Sequence, residues 1–150
     1  ATGNKLQSAI EFMKKHDVQK RLEEEYEDYR ISEGIPAGRR EITNEFNPLE
    51  AGLRHLISWN KGCYVGQEVI ARLDTYKKVQ KRLVRLTLSG SVASLPARIS
   101  GSTGEVGTLT SVTTRAPYAG LGYVAVSQAE TKENMFIEQG NSHIQVRLKD

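Results

Sequence analysis

The hydrophobic positions in the first third of the chain recur at the spacing of an α-helix. Residues 5–15 form one such segment, and residues 18–31 form a second whose other face is strongly acidic. Asn4 and Asp17 are residue types that cap helix N-termini, so they are the predicted caps. Because both helices are too short to be stable alone, we expect them to pack on other parts of the protein. The apolar positions are Leu6, Ala9, Ile10 and Met13 in the first helix, and Leu22, Tyr26 and Tyr29 in the second.

The hydrophobic period changes to two residues in the second half of the chain, as in β-strands. Before this change, Pro48 opens a predicted helical turn over residues 48–53, and residues 55–59 predict a short strand. Several short strands at roughly ten-residue spacing favour a small antiparallel β-barrel, closed or nearly closed. The fold class predicted is therefore α+β. The strand segments are residues 83–88, 97–100, 106–112, 121–126, 135–138 and 144–148.

Composition limits the kinds of protein this chain can be. Hydrophobic residues make up 38% and charged residues 26% of 150 residues, as in a folded globular protein. No apolar run approaches the roughly 20 residues that cross a membrane, and no secretory signal is visible, so a cytoplasmic location is expected. The formal net charge of +3 suits an anionic ligand without indicating nucleic acid. One cysteine excludes an internal disulfide and a cysteine metal cluster built by one chain.

That single cysteine, Cys63, lies in a distinctive run over residues 61–68. Glycines on both sides let the backbone turn sharply, and residues 67–73 predict a short helix directly afterwards. A thiol beside Lys61 and before a helix start would be stabilised as a thiolate. The other interpretation is a small buried apolar residue, which is the commoner role of a lone cysteine. The run consists of Lys61, Gly62, Cys63, Tyr64, Val65, Gly66, Gln67 and Glu68.

Two further features could bind a ligand. Glu50 follows Pro48 in a mostly apolar turn, so its carboxylate is expected to be partly buried and to need a partner. A pterin ring would supply paired N–H donors, and a capping role at the turn explains Glu50 equally well. The basic run over residues 77–82 suits an anionic ligand tail or RNA phosphates. No aromatic residues interleave with it, which does not favour single-stranded nucleic acid.

The run over residues 61–68 closely resembles the signature of the YgfZ-type folate-binding proteins. These are relatives of the glycine-cleavage T-protein, an aminomethyltransferase, and include a mitochondrial iron–sulfur assembly factor. Residues 30–36, 48–53, 105–111 and 121–124 resemble other segments of this family. The resemblance implies the later part of a folate-binding α/β domain in residues 1–76 and the antiparallel barrel in residues 77–150. It also implies that the N-terminal part of such a protein is a partner of this chain.

The resemblance implies roles for individual residues. Glu50 would accept hydrogen bonds from the pterin of tetrahydrofolate or a one-carbon derivative, and Lys78 would lie near the glutamate tail. Cys63, with Lys61 and the other motif residues, would act as the functional thiol in iron–sulfur cluster assembly or repair, with assembly proteins or their clients as partners. The alternative is an aminomethyltransferase, which needs no thiol. The expected location is the cytoplasm, or the mitochondrial matrix in a eukaryote.

Overall fold

The computed structural model describes residues 2–16, 22–76, 79–131 and 133–149, with residues 2–5 through their backbone only. The first half contains helices α1 (Thr2–Lys15), α2 (Glu23–Glu33) and α3 (Gln67–Thr75), with a 3-10 turn at Arg54–Leu56. None of the described helices is long and apolar enough to cross a membrane. The second half contains strands β1 (Lys81–Leu88), β2 (Ala97–Gly101), β3 (Gly104–Val112), β4 (Tyr118–Ala125), β5 (Met135–Gln139) and β6 (Ser142–Leu148), with α4 (Val126–Thr131) between β4 and β5.

The six strands form a closed antiparallel barrel in the order β1-β4-β3-β2-β5-β6. The predicted alternation explains its core, because Leu86 and Leu88 of β1 are buried while Thr87 between them is exposed. Glycines let β3 and β4 approach closely: a Cβ at Gly122 would lie 2.6 Å from the backbone oxygen of Thr108. The α+β class and the barrel are thus confirmed, and the domain division at residue 76 stays a prediction.

Helix α2 is joined to the barrel by a buried ion pair. Arg30 is 1% exposed and Glu41 is fully buried, and Nη1 of Arg30 lies 3.1 Å from Oε2 of Glu41. Nη2 of Arg30 also donates to the Ser111 hydroxyl on β3 at 3.1 Å. That hydroxyl and the Thr110 hydroxyl lie 2.6 and 2.7 Å from Oε1 of Glu41. Hydrogen bonds from β3 therefore support both charges of the pair.

Neighbouring groups complete this buried network. The backbone N–H of Ala37 donates to Oε2 of Glu41 at 3.0 Å, so the turn that carries Glu41 also satisfies its charge. Glu27 receives two hydrogen bonds from the Arg30 guanidinium, at 2.8 and 2.6 Å, and this contact lowers the pKa of Glu27 below 4.5. Beside the network, Ile31 packs against Leu121 of β4. Apolar and ionic contacts thus fix α2 against the same strands.

The apolar face of α2 that was predicted to pack on the protein is exposed, and a different face is buried. Leu22, Tyr26 and Tyr29 are 64%, 56% and 59% exposed, whereas the buried residues of α2 are Arg30 and Ile31. The hydrophobic spacing was interpreted correctly as helical, but it does not identify the side that contacts the barrel. An arginine with a buried partner outweighs the apolar stripe here, because leaving either charge unpaired in the interior is costly.

The ends of the predicted helices need corrections. Helix α1 begins at Thr2, so Asn4 lies inside it and is not its cap. Helix α2 begins at Glu23, and the predicted cap Asp17 lies outside the described residues. The N–H of Leu22 instead donates to the Glu25 carboxylate at 3.0 Å, which satisfies one donor before the helix.

Two predicted strand segments also need correction. Residues 55–59 form no strand; the 3-10 turn Arg54–Leu56 stands there, and its C-terminal Ile57 N–H donates to the Arg54 carbonyl at 3.2 Å. A strand requires a neighbouring strand, and none of the described strands pairs with this segment. The second correction concerns the predicted strand 121–126. Val126 is the first residue of α4 and not the last of β4, and its N–H donates to the Gln80 carbonyl.

Replacing Glu41 by Gln is expected to destabilise the protein by about 3 kcal/mol, because breaking a buried ion pair leaves an uncompensated charge. The free energy of unfolding from urea titration measures this. Glu105→Gln is the matched control, since it removes the same charge from the exposed pair of Arg98 and Glu105. The control should change stability by less than about 1 kcal/mol. Equal effects of the two variants would contradict the structural role of Glu41.

Candidate functional site

The motif over residues 61–68 forms an exposed loop that runs into α3. Cys63 is exposed, so its interpretation as a buried apolar residue is wrong. Gly66 precedes α3 as its N-cap with φ of 87°, a backbone conformation that side chains other than glycine rarely adopt. Val65, between the cysteine and this glycine, is fully exposed. The motif thus presents its thiol at the protein surface, four residues before the first residue of α3, the helix that was predicted to follow it.

Short-range contacts shape the motif from within. The Lys61 ammonium lies 4.7 Å from the centre of the Tyr64 ring, a cation–π contact. The N–H of Tyr64 donates to the Gln67 side-chain oxygen at 3.4 Å, and the N–H of Gln67 donates to the Tyr64 carbonyl at 3.2 Å. Glu68 pairs with Arg72 one helical turn later at 2.8 Å. These contacts therefore join Lys61 to Tyr64, Tyr64 to Gln67, and Glu68 to the helix that follows.

A contact between distant residues connects the two sides of the motif. Arg54 in the 3-10 turn donates from Nε and Nη2 to the two carboxylate oxygens of Asp74 on α3, each at 2.9 Å. These hydrogen bonds lower the pKa of Asp74 below 3.8, so this carboxylate is ionised at neutral pH. The same guanidinium lies 5.1 Å from the centre of the Trp59 ring.

Glu50 occupies a turn that rests on the barrel. The Asn47 side-chain oxygen accepts the N–H groups of Leu49 and Glu50, both at 3.0 Å. In return, Oε2 of Glu50 accepts the N–H of Asn47 at 3.1 Å. The Glu50 carbonyl accepts the N–H of Leu83 on β1 at 2.8 Å. The half-buried carboxylate thus has the capping role that the sequence left open, and the barrel fixes its position.

Aromatic side chains lie on the barrel near this turn. Phe46 stacks on Tyr123 of β4 with ring centres 3.5 Å apart and planes within 10°. The Tyr123 hydroxyl donates to the Glu41 carbonyl at 2.8 Å. Burial is the main cause of a strongly raised Tyr123 pKa, and the negative charges of Glu41 and Glu50 add to it. Tyr123 therefore stays neutral and links the buried network to the surroundings of Glu50.

The residues following Glu50 line an apolar cleft of about 550 Å³. This volume lies in the range of small-molecule sites, which combine apolar walls with a few polar groups. A carboxylate can accept several hydrogen bonds, and Oε2 of Glu50 already accepts one. The carboxylate of Glu50 therefore has room for further N–H donors, and the next residue, Ala51, is part of the cleft wall. The wall includes Ile35, Ile42, Ala51, Leu53, Leu56 and Leu83.

The sequence analysis did not predict the contact of Arg54 with Asp74, and its prediction for Lys78 concerns a residue that the structure does not describe. Lys78 is among the residues that the structure does not describe. The contact of Arg54 with Asp74 had no local sequence signal, because the two residues are 20 positions apart. The reciprocal hydrogen bonds of Asn47 and Glu50 did have a local sequence signal, because Asn followed three residues later by Glu is a capping pattern.

Comparisons with known proteins give relatives for most of the chain. It is 42% identical over 123 residues to a candidate chloroplastic transferase of Arabidopsis thaliana, covering 79% of this chain and 28% of that protein. It is 36% identical over 110 residues to the mitochondrial iron–sulfur cluster assembly factor IBA57 of Mus musculus, covering 69% of this chain and 29% of that protein. It is 39% identical over 64 residues to the tRNA-modifying protein YgfZ of Buchnera aphidicola, covering 41% of this chain and 20% of that protein. No protein-family model matches the chain.

A solved structure shares the fold. The glycine cleavage system aminomethyltransferase T from Bartonella henselae matches with a TM-score of 0.70 and 20% identity, over 83% of this chain and 36% of that one. Most of the chain thus has the fold of part of a T-protein. The chain belongs to the YgfZ-type group of the T-protein superfamily, as its motif predicted. It spans less than a third of the length of the curated relatives reported above.

Replacing Gly66 by Ala should weaken the start of α3 by about 1 kcal/mol, since the positive φ is unfavourable for any residue with a Cβ. Hydrogen exchange of the α3 amides measures this loss. Gly62→Ala is the control in the same motif. A Cβ at either glycine would meet no neighbouring atom within 4 Å, so the two variants differ only in backbone conformation. Equal exchange in both would show that the conformation of Gly66 does not limit α3.

Proposed function

We propose that this chain is part of a tetrahydrofolate-binding accessory protein that supports iron–sulfur cluster assembly or repair, with Cys63 as its functional thiol. The observation that carries the proposal is the exposed position of Cys63 inside a complete family motif. A cysteine kept only for packing would lie in the interior, whereas a thiol that meets another molecule must be reachable. The relative named as an iron–sulfur cluster assembly factor supports this role.

Three chemical roles for Cys63 fit its position. The thiolate could act as a nucleophile, as a transient disulfide partner, or as one ligand of a cluster shared with another protein. In the last case, the cluster is cargo, because one cysteine cannot hold it alone. Each role requires a partner molecule at the motif, and the exposed side chain of Val65 offers apolar contact beside the thiol. We therefore place the contact with iron–sulfur proteins at residues 61–68.

For folate, we propose the turn that carries Glu50. The carboxylate would accept the paired N–H groups of the pterin, and the adjoining apolar cleft would cover the ring. The tetrahydrofolate would supply a one-carbon carrier, and the chain's own residues would bind and orient it. Lys78 would contact the anionic tail. The position of Glu50 against β1 supports this proposal, because the Leu83 contact holds the turn in one place.

The second candidate function is an aminomethyltransferase, favoured by the T-protein fold of the barrel and the preceding segment. Glu50 and the cleft would serve it equally well. The thiol distinguishes the two functions, because the transfer of a one-carbon unit to folate does not require a cysteine. Release of ammonia from an aminomethyl-lipoyl carrier would identify the enzyme.

We expect another protein segment to cover the apolar surface of α1 and α2. On α1, Leu6 and Phe12 are 65% and 62% exposed, and on α2, Tyr26 is 56% exposed. We propose that the N-terminal part of a T-protein-like domain covers them. The cytoplasm or the mitochondrial matrix stays the predicted location.

Replacing Cys63 by Ala should leave folding unchanged and abolish the support of iron–sulfur enzymes in cells that depend on this protein. An exposed side chain contributes little to stability, so the thermal midpoint is expected to stay the same. Aconitase-type activity in such cells measures the function. Ser58→Ala, at an exposed loop position shortly before the motif, is the control and should support activity fully. Full activity of Cys63→Ala would remove the thiol from the mechanism.

Replacing Glu50 by Gln should weaken tetrahydrofolate binding by about 10- to 100-fold, because a charged acceptor is replaced by a neutral amide. Isothermal titration calorimetry with tetrahydrofolate measures the dissociation constant. The Gln side-chain oxygen can still accept the N–H of Asn47, so the turn is expected to stay folded. Glu45→Gln, at an exposed position in the same region, should bind as the unaltered protein does. Equal binding of both variants would show that Glu50 serves only as a cap.

A further inference from the structure

A fork-shaped contact crosses the base of the exposed motif loop. Arg54 lies before the motif and Asp74 after it, 20 residues apart, and both carboxylate oxygens of Asp74 accept from the guanidinium at 2.9 Å. A two-point contact between a planar guanidinium and a carboxylate fixes orientation as well as distance. The 3-10 turn and α3 are therefore held in a defined relation on the two sides of Cys63.

The same guanidinium also contacts the loop itself. Its central carbon lies 5.1 Å from the centre of the Trp59 ring, within the range of a cation–π contact. Trp59 is 38% exposed, less than Leu56 before it and Val65 after it. One arginine thus contacts the segment entering the motif and the helix leaving it.

Within the part of the chain that the structure describes, the other hydrogen bonds and ring contacts of the loop are local. Residues 57–66 contain turns and bends but no helix or strand, and most of their side chains are exposed. Segments with little burial open easily without unfolding the rest of the protein. The hydrogen bonds between Tyr64 and Gln67 act inside the motif and do not cross its base. A contact across the base restricts the conformations of the whole loop.

We propose that Arg54 is the positioning residue for Cys63: shared between Asp74 and Trp59, its guanidinium closes the base of the motif loop and holds the thiol in one arrangement. The effect of Arg54 on function rests on the proposed role of Cys63. The effect of Arg54 on the conformation of the loop does not depend on that role. Because the pair is exposed, its removal should affect the loop and leave the barrel unchanged.

The test compares Arg54→Ala and Arg54→Lys by hydrogen exchange. The reporting amides are those of Ile57, Gln67 and Ile70, which are hydrogen-bonded at the two ends of the loop. Arg54→Ala should accelerate their exchange by roughly 3- to 10-fold, with no change in the barrel or in the thermal midpoint. Arg54→Lys keeps the charge and loses the fork, so it should restore only part of the protection.

Matched controls separate the possible results. Arg98→Ala removes an exposed ion pair from the barrel surface and should leave the loop amides unchanged. In cells, Arg54→Ala should lower the support of iron–sulfur enzymes at an unchanged thermal midpoint, and Arg54→Lys should recover part of it. A residue that only stabilised the fold would lower the thermal midpoint together with activity.

Three results would decide the matter. Unchanged exchange of the loop amides in Arg54→Ala would overturn the proposal. Faster exchange throughout the barrel would also overturn it, because Arg54 would then support the fold as a whole. Faster exchange in the loop alone, together with full activity of Cys63→Ala, would uphold the closure by Arg54 and disprove the proposed role of the thiol.

Discussion

The buried pair of Arg30 and Glu41 is the interaction on which the arrangement of this chain depends. Two opposite charges lie in the interior, and each must find hydrogen-bonding partners in fixed directions. Those partners come from α2, from the turn near Ala37 and from the hydroxyl groups of β3. Because the partners belong to separate parts of the chain, satisfying the pair also assembles the helix, the turn and the barrel. Apolar burial alone would permit α2 to slide on the barrel, whereas directional bonds do not.

The effect of this pair extends toward the candidate ligand site. The Tyr123 hydroxyl bonds to the Glu41 carbonyl, and Phe46 stacks on the Tyr123 ring. Phe46 shortly precedes the turn with Glu50, which is itself bonded to Leu83 of β1. The position of the Glu50 carboxylate therefore follows from the buried network and from the barrel together. A carboxylate held in this way needs little rearrangement to bind a ring with N–H donors.

The barrel could be predicted from the sequence, and the way in which α2 packs could not. Alternation along β1 is a local pattern, so each strand carries its own signal. The bonds between Glu41 and Thr110 and between Arg30 and Ser111 join residues 69 and 81 positions apart, and no local pattern indicates them. Residues 55–59 illustrate the opposite error: an apolar run suggests a strand, but no neighbouring strand is available, and a 3-10 turn forms.

The two candidate site residues differ in what supports them, and this difference fits different tasks. Glu50 rests on the barrel, and the residues after it line an apolar cleft, which suits the proposed binding of a small molecule. Cys63 lies on an exposed loop whose base is joined by Arg54 and Asp74 at the surface. The proposed contact of this thiol with a second protein would require access more than burial, and the contact across the base of the loop would orient the thiol without a core. The eight-residue motif could be recognised from the sequence because its residues are contiguous, whereas the arginine that closes it lies outside the motif and became visible only in the folded chain.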